Sequence, residues 1–244
     1  MDKKILIVSG DSFTFEKWNW PGYLKDNINY DINNSGMGCQ GNGLISKKII
    51  YNVDKVLKTI SADDILVGVM WSAIDRTEFY LDDVSNYNNV DGWVENPTNI
   101  VDGVENKRWF ITNSHWKTPK AKMWYEYFHT DIESMISFMY DVLSVQWYLE
   151  KHNIKYFMST IIDIFENREQ TINHPEIKYL YDMINFEYFL PIKGCREWVL
   201  DNYPDDGFPV NDNTLNKKFH PTSYGHEMFA KEVILPFLEN KKLI

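Results

Sequence analysis

Two short groups of residues at opposite ends of the chain carry the side chains best suited to covalent chemistry. Near the N-terminus, Gly10-Asp11-Ser12 follows an apolar run, and near the C-terminus His220 stands directly before Pro221 in the stretch His220-Pro221-Thr222-Ser223-Tyr224-Gly225-His226. A serine hydroxyl is a weak nucleophile at neutral pH and needs a neighbouring base to take its proton; an imidazole is the side chain whose ordinary pKa suits that task. Ser12 and His220 therefore make an acyl-transfer pair if the fold brings the two ends of the chain together. Taken alone, Gly-Asp-Ser is also an ordinary turn tripeptide.

The element that must deliver the serine is Ile5-Leu6-Ile7-Val8-Ser9, which has lysines before it and Gly-Asp-Ser after it. A short run of this kind reads as a strand buried on both faces, ending in a sharp turn. In open α/β sheets ligands bind beyond the carboxyl ends of strands, which is where Ser12 falls. The same argument applies to the clearest strand in the chain, Asp64-Ile65-Leu66-Val67-Gly68-Val69-Met70-Trp71, which ends at Ser72-Ala73-Ile74-Asp75-Arg76. Trp71, Ser72 and Arg76, with Asp11 from the first turn, are thus candidates for the pocket, Asp11, Trp71 and Arg76 as substrate contacts. Between these strands, Gly36-x-Gly38-x-x-Gly41 matches a dinucleotide fingerprint literally. The strand before it is short and polar and is the second of the chain, so a turn that aims backbone N–H groups at a reacting oxygen is the better functional reading, with a plain loop beside it.

The remaining elements alternate. Pro21 opens a short helix, and a helix over about 44–59 repeats Ile45, Ile49, Val53 and Val56 at helical spacing. One long helix or two cover about 120–152, followed by a strand over 154–162 and a helix over 175–189. Residues 198–216 read as turn-rich, and Thr222 caps a last helix running to about Asn240. The alternation predicts a parallel sheet covered by helices on both sides, in one domain. From about 78 to 119 the pattern dissolves into Asn, Asp, Gly and aromatics, and this stretch reads as an insertion or lid over the site.

Composition excludes several classes. A formal net charge of −10, with no basic stripe, argues against nucleic acid and anionic membrane as partners. No window approaches 18 uninterrupted apolar residues, so no membrane-spanning helix is expected. The apolar run after Met1-Asp2-Lys3-Lys4 ends by Ser9, too short for a secretion signal, which points to a cytoplasmic protein with Cys39 and Cys195 as reduced thiols. His220 and His226 with Glu227 do not make a metal-ligand spacing, and no cofactor is implied. Aromatics reach 16% of the residues, with nine Trp and fifteen Tyr, offering flat surface for sugar rings or a protein interface.

In the order and position of its first and last motifs, Gly10-Asp11-Ser12 and His220-Pro221-Thr222-x-x-Gly225-His226, the chain resembles the SGNH (GDSL-type) hydrolase family. The resemblance implies a three-layer α/β/α fold with a mostly parallel, flavodoxin-like sheet. It implies Ser12 as nucleophile and His220 as base. It matches Asn33-x-Ser35-x-x-Gly38 to the second family block, with the Ser12 and Gly38 N–H groups as oxyanion donors. His226 then falls to a structural role. Two departures stand out. The third block, Gly-x-Asn-Asp in the family, is Trp71-Ser72-Ala73-Ile74, which leaves Ser72 as a substitute donor. The acid three residues before the histidine is replaced by Lys217, which leaves Asp206, Asp212 or Asn216, or a backbone carbonyl, to orient His220. The implied function is a serine esterase acting on a small ester or an acetylated glycan, with O-acetylated carbohydrate favoured by the aromatic content. The rival reading is a catalytically impaired carbohydrate-binding or virion/assembly protein on the same scaffold.

Overall fold

The computed structural model describes residues 4–80, 109–114, 119–166, 168–209 and 219–244. Its first strand, β1 (Ile5–Ser9), lies between β2 (Asp31–Asn34) and β3 (Ile65–Trp71), and is parallel to both. A short antiparallel pair, β4 (Thr77–Tyr80) with β5 (Trp109–Thr112), stands apart. The last strand, β6 (Lys155–Thr160), pairs in parallel with β3, giving the order β2-β1-β3-β6. One further parallel bridge, Met158 to Phe189, extends the sheet beyond β6.

Parallel neighbours need crossovers, and helices supply them. After α1 (Ser12–Phe15) and α2 (Trp20–Lys25), α3 (Asn42–Leu57) connects β2 to β3. The expected long helix is two, α4 (Pro119–Tyr127) and α5 (Asp131–Lys151). The break is made at Thr130, whose side chain accepts the Glu133 N–H as an N-cap, with Asp131 and Glu133 favourably placed in the first turn. Then come α6 (Glu169–Ile172), α7 (Pro175–Met183) and α8 (Cys195–Asn202). The C-terminal helix runs as α9 (Ser223–Phe229), a π-helical stretch (Ala230–Ile234) and α10 (Leu235–Asn240), with Thr222 accepting the Gly225 N–H as its cap.

The sheet is covered on both faces, which is why its strands read as continuous apolar runs. Period-two alternation sends Ile7, Val67, Val69, Trp71 and Met158 to one side, against α3, α5 and α7. Leu6, Val8, Leu66, Met70 and Phe157 face the other, against Trp20 and Leu24 of α2, Cys195 and Val199 of α8, and the C-terminal helix. Among the described residues no helix is long and apolar enough to cross a membrane. Cys39 and Cys195 are not joined.

Two expectations are corrected. Residues 198–216 are not turn throughout, because Cys195–Asn202 is helical; its buried positions, Cys195 and Val199, are one turn apart, too short a pattern to stand out among the surrounding Asp, Gly and Pro. Part of the irregular 78–119 stretch is strand, since β4, at its start, and β5 hydrogen-bond each other. The residues between, 81–108, and 115–118 lie outside the described residues, and with them most of the expected insertion.

Gly68, in the middle of β3, leaves room for two aromatic rings, Phe157 of the neighbouring strand and Trp20 of α2. A Cβ there would sit 2.6 Å from the Phe157 ring and 3.2 Å from the Trp20 ring, both fully buried. Gly68→Ala is expected to destabilise the fold by about 1–3 kcal/mol, the usual range for overpacking. Urea unfolding checks this; an unchanged midpoint would mean that the aromatic pair yields at no cost.

Candidate active site

Ser12 is the first residue of α1, placed there by the β1 turn. Gly10 is required in that turn because a Cβ would fall 2.2 Å from Thr14 Oγ1 and 2.9 Å from the Met70 carbonyl, a close approach that only glycine allows. Asp11 is the N-cap, its Oδ1 accepting the Phe13 N–H at 2.9 Å. The Ser12 carbonyl accepts from Asn19 Nδ2 at 2.7 Å, a second hold on the residue.

Ser12 Oγ lies 2.8 Å from His220 Nε2. With the ring proton on Nδ1, the hydroxyl donates to Nε2, the arrangement in which the imidazole can accept the serine proton. Phe13 builds the floor beneath this pair. Its ring is fully buried, with centroids 5.2 Å from His220, 5.7 Å from His226 and 6.1 Å from Phe219. Burial pushes the His220 pKa below the ordinary histidine value; the Asp11 charge works against that shift and the Arg76 charge with it. His226 is buried, and burial, then the His220 charge, push its pKa down to about 3, so it is neutral in the fold. Among the described residues its Nδ1 has no hydrogen-bond partner.

The second glycine-rich loop is laced to the first. Asn34 Nδ2 donates to the Thr14 carbonyl at 2.7 Å, Ser35 N–H to Val8 at 2.9 Å, and Met37 N–H to Gly10 at 3.1 Å. Gln40 Nε2 reaches both Ser9 Oγ and the Gly10 carbonyl at 3.1 Å. Lys48 is buried and donates to the Ser35 carbonyl, and burial holds its pKa down to about 8. Gly38 stands clear of this lacing, with no atom of the described residues within 4 Å of the position a Cβ would take. Asn34, Gln40 and Lys48 were not singled out from sequence, where they look like ordinary loop and helix polars; the only available signal was their closeness to the glycine turn.

Four of the expected site residues are placed differently from expectation. Ser72 is fully buried, its hydroxyl donates to Asp11 Oδ2 at 3.3 Å, and its backbone exchanges hydrogen bonds with the Asn42 amide, so its proton is aimed away from Ser12. Asp11 is also fully buried and is held by Phe13, Ser72 and Arg76. Arg76 Nη1 lies 2.6 Å from Asp11 Oδ2, with its side chain 9% exposed. Trp71 is a core residue with Nε1 against Met158 Sδ, because β3 stays in the sheet through its last residue. Substrate contact is thus not the role of Asp11 or Trp71, and Arg76 is committed to an ion pair. Asp212, Asn216 and Lys217 lie outside the described residues; Asp206 is exposed, and its carbonyl takes the Thr222 hydroxyl. Among the described residues no carboxylate is bonded to His220 Nδ1, and no group of three or more His, Cys, Asp or Glu is placed to hold a metal ion.

On the other side of Arg76 is a cavity of about 320 Å³ lined by Asn42, Lys47, Glu78, Trp124 and Asp141. Burial raises the pKa of both Glu78 and Asp141 to about 7, against the pull of Lys47.

The mostly parallel sheet flanked by helices is consistent with the SGNH (GDSL-type) hydrolase fold. Among solved structures, the chain is similar to TesA at 9% identity and a TM-score of 0.50, with 97% of this chain and 99% of that one covered. It is also similar to a member of the lipolytic protein G-D-S-L family from Veillonella parvula DSM 2008, at 12% identity and a TM-score of 0.46, with 94% and 95% covered. The chain belongs to a family of unknown function, DUF6071, whose model matches residues 10–180. No match was found among curated proteins.

The buried carboxyls make a pH prediction. Glu78 and Asp141 hold their protons more tightly in the fold than in the unfolded chain, where their ordinary values are 4.5 and 3.8. A carboxyl with a raised native pKa contributes stability below its unfolded value and loses that contribution as the pH climbs to its native value. Glu78→Gln is therefore expected to gain stability relative to the natural chain between about pH 4.5 and about pH 7, read as the difference in Tm across a pH series. A constant difference over that range would mean that Glu78 is not held protonated.

Proposed function

We propose that the chain is a serine esterase in which Ser12 is the nucleophile and His220 the general base. The observation that carries this reading is the 2.8 Å approach of Ser12 Oγ to His220 Nε2, between residues from opposite ends of the chain. In the forward step Ser12 Oγ attacks the ester carbonyl carbon while Nε2 takes the hydroxyl proton. The tetrahedral oxyanion collapses as Nε2 returns that proton to the departing alcohol, leaving an acyl group on Ser12. Water then attacks the acyl carbon, again losing its proton to Nε2, and the acid leaves as Ser12 regains its proton. The lowered His220 pKa supports the role, since the ring is an uncharged acceptor at neutral pH.

The oxyanion is assigned to backbone donors. Ser12 opens α1, so its N–H belongs to the first turn, where helix N–H groups have no partner within the helix. Gly38 on the adjoining loop is the second donor, and among the described residues its flank is open, with room for a tetrahedral centre. With Ser72 turned to Asp11, the hole has two donors, and one donor is worth on the order of 100 to 1000-fold in rate. The substrate is assigned as an O-acetylated carbohydrate. Phe15 and Trp18, just beyond Ser12 in the chain, are each 49% exposed and offer flat apolar surface to a sugar ring.

A rival reading has the Ser72 commitment on its side: an impaired scaffold, binding carbohydrate or serving in a virion or other assembly, has no use for a third donor. Hydrolysis of p-nitrophenyl acetate separates the two. Ser12→Ala and His220→Gln, each shown to be folded by circular dichroism, are expected to lose about a thousandfold or more of the natural chain's rate. Mass spectrometry is expected to find a transient +acetyl adduct on the Ser12 peptide. Equal rates near background in all three chains would overturn the esterase reading in favour of the scaffold.

A further inference from the structure

The cavity beside Arg76 takes no part in the chemistry at Ser12, and its polar groups are unmatched. Glu78 reaches it from β4 and fastens the start of α3: Gly41, the N-cap, has no side chain to offer, and the Glu78 carboxyl accepts the Leu44 N–H in its place. That leaves Glu78 Oε1, which is buried and, among the described residues, has no partner. Trp124, which also lines the cavity, packs against Phe79 and Phe128 at centroid distances of 4.8 and 5.6 Å, and its Nε1 proton is likewise buried without an acceptor. Buried polar groups are rarely left so. Here an acceptor and a donor share a cavity of about 320 Å³, large enough for a small molecule.

The surrounding charges point to a cation. A Cβ on Gly43 would stand 2.6 Å from Glu78 Oε1, 3.0 Å from Lys47 Nζ and 3.6 Å from Asp141 Oδ2, so these three side chains converge on space that only glycine leaves open. Lys47 does not neutralise the carboxyls: its Nζ donates to the Gly43 carbonyl at 3.0 Å and lies 5.1 Å from the centre of the Trp109 ring. Arg76 is committed to Asp11, and among the described residues no ion pair reaches Glu78 or Asp141. Glu133 adds a third carboxyl, which accepts the Ser137 hydroxyl, while His129 is bonded to Ser134. Burial raises the pKa of Glu78 and Asp141 to about 7, as expected of carboxyls that lack a counter-charge.

We propose that this cavity binds a small organic ammonium that also carries a hydroxyl or carbonyl oxygen: the ammonium donates to Glu78 Oε1 and Asp141 Oδ2, and the oxygen accepts from Trp124 Nε1. The indole face adds attraction for the cation. A hard divalent metal fits less well, since it calls for about six oxygen ligands, and among the described residues no group of three or more His, Cys, Asp or Glu is placed to hold one. Neither Ser12 nor His220 lines the cavity, so binding there is independent of hydrolysis.

The test is an NMR titration of the full, ¹⁵N-labelled chain at neutral pH, reading the Trp124 indole N–H, whose resonance is identified by its loss in Trp124→Phe. The probe is 3-amino-1-propanol, compared with 1,3-propanediol, in which a hydroxyl replaces the ammonium. The amine is expected to shift the resonance saturably at millimolar concentration, as suits so small a ligand, and the diol to bind about tenfold or more weakly. Glu78→Gln keeps an acceptor for Leu44 and removes the charge; Gly43→Ala fills the space and, in the first turn of α3, favours the helix. Each is expected to weaken the amine about tenfold or more. Should Glu78→Gln fail to fold, Gly43→Ala decides the matter, and the comparison of amine with diol needs no variant. Equal binding of amine and diol overturns the assignment of a cation. A drift that never saturates, or an unchanged affinity in the folded variants, overturns the site.

Discussion

A carboxylate with no access to water has to be answered by the structure around it, and Asp11 is that carboxylate. The backbone of α1 answers one oxygen, and two residues from beyond β3 answer the other. Satisfying it draws the end of β3, the start of α3 through Asn42, and the β1 turn into one knot, and Ser12 is the next residue along the chain. The precision of the serine's position therefore derives from the cost of leaving its neighbour's charge unpaired, which is several kcal/mol for a buried ion.

The knot explains why a site assembled from five separate segments needs few specialised side chains. β1 contributes the turn, β2 the loop bearing Gly38, β3 the arginine and serine below, α2's approach the Asn19 clamp, and the C-terminal helix the histidine that precedes it. Each link is an ordinary hydrogen bond worth roughly 1 kcal/mol net, but together they bind the carboxyl ends of three adjacent strands. Aromatic packing does the rest: Phe13 faces both histidines, so the ring that fixes His220 also keeps His226 dry. Polar groups below hold Ser12, and apolar surface above favours the neutral form of His220.

Much of this was readable in the sequence, and the readable parts share a cause. The strands β1, β3 and β6 are apolar because both faces are buried, and that pattern survives in one dimension. The caps at Thr222 and the proline at the start of α2 act within four residues, so they too are local. Ser12 and His220 stood out because their neighbours, Gly10 and Pro221, impose turns that few other residues would. The structure left other readings behind. Ser72 looked like a free donor at a strand end, yet its hydroxyl serves Asp11. Trp71 looked like a pocket wall and is core, because a strand's last residue alternates faces like any other. The helix α8 hid in a turn-rich stretch because it needs only two buried contacts.

What the sequence determined by itself is the layered α/β architecture and the two motif-bearing turns, since hydrophobic period and turn chemistry are short-range and written in consecutive residues. What only the tertiary structure decided is which polar groups meet, Asp11 with Arg76 and Asn42 with Ser72, and that Ser12 and His220, paired from their motifs, come within hydrogen-bond distance. Pairings across tens or hundreds of residues leave no periodic trace, because a hydrogen bond depends on distance in space, and the register of parallel strands sets that distance.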